Sequence, residues 1–281
     1  MPSSAQPSVI SGSTVLITGA ARGMGELYAR QAAARGASAL VLWDVDKQGA
    51  EALAEELRSS ATRVQVVSED LSSLTGVRRG AELIRSQTGV PHVIINNAGI
   101  VRGAPFWDHD QERDVSTTIN INALAPMWLT REFINDMIAD ASREYRILNI
   151  ASAAGTLANP GMSVYASSKW ALIGWSDSLR LELVKHGHDH VKVTTFCPSY
   201  VSTGMFEGAR GPLLTPIMTP KYAAKAAWNG MVRGTPIVAK PWTVKLAMAL
   251  RGVLPTALWD YVADNVFHVY SSMDKFTGHG K

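Results

Sequence analysis

Apolar and polar positions alternate in blocks along the chain. Thr14 to Thr18 (TVLIT), Ser38 to Trp43 (SALVLW), Arg63 to Val67, His92 to Ile95, Tyr145 to Ala151 and Val191 to Phe196 are short runs rich in apolar and β-branched residues. Between them lie longer stretches with apolar residues at helical spacing: Met24 to Arg35 closed by Gly36, a stretch reaching about Arg58, Leu71 to Gln87, Asn122 to Ala139, and Val164 to Lys185. Strands that are apolar throughout are covered on both faces, which points to a parallel sheet with its crossover helices on either side. The pattern predicts a doubly wound α/β fold. Neither an internal repeat nor an interdomain linker interrupts it. The expected organisation is a loose tail over 1–12, a single domain over 13–240, and a C-terminal helical extension over 241–281. In that extension Trp242, Leu246, Leu250, Leu254, Leu258, Trp259, Val262 and Val266 recur at helical spacing, an amphipathic stripe. Such a stripe packs on its own domain, covers a pocket or joins subunits; without a basic face, membrane contact ranks last.

Composition narrows the function. With 281 residues, 46% hydrophobic and 18% charged, the chain can bury one substantial core. The net charge of +3 is dispersed among acidic residues, so neither nucleic acid nor an acidic membrane is indicated as a partner. The single cysteine, Cys197, cannot form an internal disulfide and suits a reducing, cytoplasmic setting. The N-terminal MPSSAQPSVISGS lacks the positive region and apolar core of a secretory signal. The best apolar window, Trp242 to Trp259, is broken by Lys245, Arg251 and Pro255, so no integral membrane segment is expected.

The candidate chemistry centres on Ser152 to Lys169. Tyr165 and Lys169 are four residues apart in a helical segment and project from one face. An ammonium beside a phenol favours the phenolate, which suits a general acid/base. Ser152 follows a buried strand, at the carboxyl edge where open α/β sheets bind ligands. Upstream, Gly19, Gly23 and Gly25 in TGAARGMG join the first strand to the first helix. Glycines there permit a tight turn and a close backbone approach to a pyrophosphate at the helix N-terminus. Asp44 follows Gly25 by nineteen residues at the end of the second strand, where a carboxylate binds adenosine ribose hydroxyls and repels a 2′-phosphate, favouring NAD over NADP. Arg22 either pairs with a phosphate or faces solvent. Asp70 either accepts from an adenine amino group or caps a helix starting at Leu71. Asn96-Asn97-Ala98-Gly99 suits a turn passing close to a ligand, or any Asx-turn.

TGAARGMG, NNAG, Ser152 and Tyr165-x-x-x-Lys169, in this order, resemble the short-chain dehydrogenase/reductase family in its compact single-domain form, over about residues 10 to 240. The resemblance implies a Rossmann-type domain and a catalytic tetrad. Tyr165 would exchange a proton with the substrate oxygen, Ser152 would hydrogen-bond that oxygen, and Lys169 would acidify Tyr165 and hold the nicotinamide ribose. Asn122, preferred over Asn120, would anchor a proton-relay water. Cys197-Pro198-Ser199 through Thr203 resembles the family's P-G-x-x-x-T segment with Ser199 in place of glycine, and Thr203 aligns as a ligand of the nicotinamide carboxamide. The implied cofactor contacts are Gly19, Arg22, Gly23, Met24, Gly25, Asp44, Asp70, Leu71, Asn97, Ala98, Gly99, Tyr165, Lys169, Pro198, Val201 and Thr203, and no metal is implied. LVLWDVDKQG and CPSYVSTGM resemble the 17β-hydroxysteroid and retinol dehydrogenase branch.

The segment 204–220, rich in Gly, Pro and apolar residues, is expected to be a substrate lid. Met205, Phe206, Leu213 and Leu214, with Leu157 and Met162, are the candidate pocket wall; Ile217, Met218, Phe106 and Trp107 are further candidates. Arg102 and Arg210 are the nearby cations, neither convincingly placed for a substrate anion. The expected substrate is therefore a neutral hydrophobic or aromatic secondary alcohol and its ketone, in a homo-oligomeric enzyme, dimer or tetramer. The alternatives are a non-catalytic NAD(H)-binding regulatory module and an NAD-using epimerase or dehydratase.

Overall fold

The computed structural model describes residues 9–58 and 61–278. A seven-stranded sheet runs in the order β3-β2-β1-β4-β5-β6-β7, with every pairing parallel. The strands are β1 (Thr14–Thr18), β2 (Ala39–Trp43), β3 (Arg63–Val67), β4 (Val93–Asn96), β5 (Tyr145–Ile150), β6 (Val191–Pro198) and β7 (Ile237–Lys240). Side chains alternate between two core layers, as the two-residue period of a strand requires. Val15 and Ile17 of β1 face one layer with Tyr28, Ala223 and Trp228, while Leu16 faces the other with Val77, Phe133 and Leu183. This two-sided burial is why the strands read as unbroken apolar runs.

The helices are α1 (Gly23–Ala34), α2 (Lys47–Leu57), α3 (Leu74–Gln87), a short α4 (Thr117–Ile119), α5 (Ala125–Ala139), α6 (Ser163–Lys185), α7 (Pro220–Arg233), α8 (Trp242–Val253) and α9 (Thr256–Tyr261). α3 starts at Leu74 rather than Leu71 because Ser73 is its cap, accepting from the Gly76 amide at 3.0 Å. Asp70 therefore does not cap it; its carboxylate folds back on the Ser72 amide and hydroxyl. The helical run expected from Asn122 begins earlier, at Gln111, where the Asp110 carboxylate accepts from two amides. It is wound with π geometry over Gln111–Ser116 and Asn120–Leu124 before α5. β6 continues past Phe196 because its last residues pair with β7. The apolar pattern marks neither α7 nor β7 as an element.

Of the expected loose tail, residues 1–8 lie outside the described residues, and 9–12 form a turn that buries Ile10 completely. The C-terminal stripe does not form one face. Pro255 separates α8 from α9 and resets the helical phase, so Trp259 is buried while Trp242, Leu246, Leu258 and Val266 are exposed. Among the described residues, no helix is long and apolar enough to cross a membrane.

Candidate active site

From β1 the chain winds outward to β2 and β3, then returns to β4 on the other side of β1. That reversal opens a crevice at the carboxyl ends of the central strands. The glycine turn lies there. Gly19 has φ +64°, and a Cβ on it would stand 2.9 Å from Ala98 Cα; a Cβ on Gly25 would stand 1.9 Å from the Gly19 carbonyl oxygen. Asn97 Nδ2 donates to the carbonyls of Thr18 and Gly19, and Thr18 Oγ1 accepts from the amides of Asn97 and Ala98, so the two loops are pinned together. Arg22 is exposed and precedes α1 without a side-chain cap, which leaves the first-turn N–H groups of that helix open to an anion. Met24 packs on the core, and Thr203 stands beside Gly23. Asp44 accepts from the Ala21 amide at 2.9 Å and the Asp46 amide at 3.0 Å, which holds its carboxylate at the rim of the glycine turn. Asp70 is exposed, whereas Leu71, Pro198 and Val201 are buried. The uncapped helix end, the glycines and the β2 carboxylate together fit a nicotinamide dinucleotide.

At the β5 side of this crevice, Tyr165 and Lys169 project from α6, each 4% exposed. Ser152 Oγ accepts from the Ala154 amide at 3.1 Å and lies on the Tyr165 side, where it favours the phenolate. Lys169 Nζ donates to the Ile150 carbonyl at 2.8 Å and lies 5.8 Å from the centroid of the Tyr165 ring. Asn122 sits in the π-wound turn, a geometry often found at functional sites. Its Oδ1 accepts from the Ile100 amide, and its Nδ2 donates to the Ile100 carbonyl and to Ser168 Oγ. A Cβ on Gly99 would stand 3.2 Å from Asn122 Oδ1 and 3.5 Å from Lys169 Nζ, so these three groups converge.

Burial dominates the electrostatics. It pushes the Tyr165 phenol up to about 12, against the opposing influence of the Ser152 hydroxyl, and lowers Lys169 to about 8. The phenol is held as the neutral acid, the opposite of the acidified group expected from its spacing to Lys169. The ammonium is tethered to the Ile150 carbonyl and burial outweighs its influence on the phenol.

Ser152 faces a cavity whose walls include Leu157, Met162, Phe206 and Leu214. None of its lining residues is charged. Met205 and Leu213 are not among them; the Leu213 side chain is exposed, its amide donating to the Phe267 carbonyl. Phe106 and Trp107 are 61% and 84% exposed, and Met218 is buried in the core, so none of the three lines the cavity. Ile217 is exposed and does not line it either. Arg102 lies 3.7 Å from the buried Asp114, while the Arg210 side chain is exposed. Phe206 packs edge-on against the rings of Tyr165 and Tyr200. Sequence reasoning did not find Thr18, Asn159, Tyr200, Val244 or Val269, whereas Trp242, Leu246 and Trp259 of the C-terminal stripe do line the cavity. The Asn159-Pro160-Gly161 turn was a usable signal, whereas the C-terminal contributors arrive only through tertiary docking.

Residues 13–212 match the family model described as short chain dehydrogenase. The chain is 34% identical to the human epidermal retinol dehydrogenase 2 over 275 residues, covering 97% of this chain and 87% of that protein. It is 29% identical to estradiol 17-beta-dehydrogenase 11 of Macaca fascicularis, covering 88% and 80%. A short-chain dehydrogenase/reductase from Burkholderia phymatum, solved with NAD, shares the fold with TM-score 0.77 at 24% identity, over 86% of this chain and 94% of that one. A short-chain dehydrogenase from Sphingobium yanoikuyae, solved with NADPH, superposes with TM-score 0.71 at 27% identity, over 87% and 97%. With the fold, the ordered motifs and these matches in agreement, the chain belongs to the short-chain dehydrogenase/reductase family of oxidoreductases, in the branch of the retinol and 17β-hydroxysteroid dehydrogenases.

Proposed function

We propose that this protein is an NAD-dependent alcohol dehydrogenase and ketoreductase that interconverts a neutral hydrophobic secondary alcohol, cyclic, aromatic or steroid-like, and its ketone. The observation that carries this reading is the Ser152 hydroxyl, thirteen residues before Tyr165, facing a cavity with no charged lining residue. Ser152 holds the substrate oxygen. Tyr165 gives its proton to that oxygen in ketone reduction and takes one from it in alcohol oxidation. Lys169, tethered to the Ile150 carbonyl, holds the nicotinamide ribose in this reading, and Asn122 fixes the loop after β4 against α6 through Ile100 and Ser168. A bound nicotinamide supplies the two-electron acceptor or donor for the carbinol carbon.

The preference for NAD rests on Asp44, whose carboxylate at the glycine turn opposes a 2′-phosphate. A homo-oligomer and a cytoplasmic setting belong to the same reading. An apolar groove between α5 and α6, lined by Trp128, Ile134, Trp175 and Leu179, is a surface for self-association, and the buried free thiol of Cys197 suits a reducing compartment. A steady-state screen of alcohols and ketones with NAD(H) and NADP(H) tests the proposal. Cyclic and aryl secondary alcohols should be oxidised with a kcat/KM preference for NAD of at least about tenfold, because like charges juxtaposed at a binding site cost several kcal/mol. Good turnover of small charged hydroxy acids, with none of aryl or cyclic alcohols, overturns it.

A further inference from the structure

α8 forms one wall of the cavity, through Trp242, Thr243, Val244, Leu246 and Ala247. Only its first turn is anchored by burial: Thr243 and Val244 are buried, and every later residue of the helix is half-buried or exposed. Leu157, in the turn after β5, lines the same cavity and packs with Ala247 and Leu250 of α8. That turn is seated hard on α6, since a Cβ on Gly155 would stand 2.7 Å from both the Lys169 carbonyl oxygen and Ile173 Cδ1. The turn and α6 therefore form one rigid unit, and α8 is the wall left to be fixed. Arg251, one turn beyond Ala247, fixes it. Its Nη1 donates to the Thr156 carbonyl at 3.0 Å, and its guanidinium carbon lies 4.6 Å from the centroid of the Trp170 ring. Thr156 immediately precedes Leu157, and Trp170 follows Lys169 on α6. One cation thus ties the weakly buried end of α8 to both parts of the rigid unit.

A hydrogen bond from a charged donor is stronger than one between neutral groups, and a planar guanidinium can lie on an indole face while its fork still donates. An element with few buried apolar contacts opens more readily than the core, so these two contacts decide how often α8 is in place. We propose that Arg251 is a positioning residue that sets substrate specificity: by clamping α8 to Thr156 and Trp170 it holds the α8 wall against Leu157, and with it the apolar contact offered to the part of a substrate remote from its reacting carbon. A ketone with little bulk beyond its carbonyl has little of that contact to lose. A larger one depends on it, and its apparent affinity falls with the fraction of molecules whose wall is in place. Arg251 acts through α8 and touches no reacting atom, so the chemical step is unaffected. The inference deepens the dehydrogenase reading and rests on it for the name substrate, but the position of the wall is measured by binding alone.

The test compares cyclohexanone with 1-tetralone, which adds one fused ring remote from the carbonyl. Initial rates with NADH give kcat and KM, and calorimetric titration in the presence of NAD, which cannot reduce either ketone, gives Kd. Arg251→Met should raise KM and Kd for 1-tetralone about tenfold, leave both within about twofold for cyclohexanone, and leave kcat for both within about twofold. Arg251→Lys keeps a cation and a donor and should recover most of the loss. Trp170→Leu should raise the 1-tetralone Kd about threefold. An equal loss for the two ketones, an unchanged 1-tetralone Kd in Arg251→Met, or no recovery in Arg251→Lys overturns the inference. Trp170 is 41% exposed, so its variant keeps the test decisive even if Arg251→Met does not fold: unchanged 1-tetralone affinity in Trp170→Leu overturns the inference as well. Selective loss of 1-tetralone binding, without turnover of any ketone by NADH, would sink the dehydrogenase reading and leave the clamp standing; turnover with the same KM in every variant would do the reverse.

Discussion

Tyr165 is buried, and its surroundings set the conditions under which it exchanges a proton. Burial pushes the phenol up to about 12, so near neutral pH it is the acid, ready to protonate a ketone oxygen. Oxidation needs the conjugate base, whose population below the pKa grows tenfold per pH unit. The kcat/KM for alcohol oxidation should therefore climb from about pH 6 to pH 8, where Lys169 begins to lose its charge. Lys169, lowered to about 8, is charged below that pH and neutral above it, so ketone reduction should stay level at acid pH and decline beyond about 8. Initial-rate profiles in both directions check this. An oxidation rate that saturates near pH 6 would mean that a group other than Tyr165 is the base.

At the scale of elements, the glycine turn has the least room for change. A methyl on Gly25 would overlap the Gly19 carbonyl oxygen, so Gly25→Ala forces the turn open. Overpacking of this kind costs about 1–3 kcal/mol, so Tm should fall by roughly 2–10 °C. NADH affinity should fall at least about tenfold in fluorescence titration, since the helix N-terminus moves with the turn. Wild-type affinity in that variant would contradict the placement of the cofactor. This turn was legible in the sequence because its glycines stand between an apolar block and a helical period, and β1 and β3 could be read to the residue for the same reason. Other boundaries depend on single hydrogen bonds. Ser73 rather than Asp70 caps α3, and the polar residues from Gln111 onward carry no apolar period to announce a helix wound with π geometry. β7 is four residues long with only Ala239 buried, too little to show as a strand. Spacing placed Tyr165 and Lys169 on one helical face, but the carbonyl that receives the Lys169 ammonium belongs to Ile150, nineteen residues away.

Over the whole molecule, the C-terminal segment folds back across the site. Met273 and Phe276 pack in the cluster that holds Tyr165, Tyr200 and Phe206, and the amides of Arg210 and Thr277 donate to the carbonyls of Ser272 and Glu207. The stretch around Phe206 to Arg210 and the tail pack together beside Tyr165 and Tyr200. Ending the chain at Val266 should raise KM for apolar ketones about tenfold or more through lost apolar contact, and leave NADH affinity within about twofold. Equal KM values in the two proteins would show that the tail has no part in the site. The account as a whole requires one phenol to carry the proton of the reaction, and Tyr165→Phe removes only that hydroxyl from α6. It should lower kcat by at least about a hundredfold to a thousandfold while NADH binding, followed by fluorescence titration, changes less than about twofold. Retention of substantial ketone reduction by Tyr165→Phe would contradict the assignment.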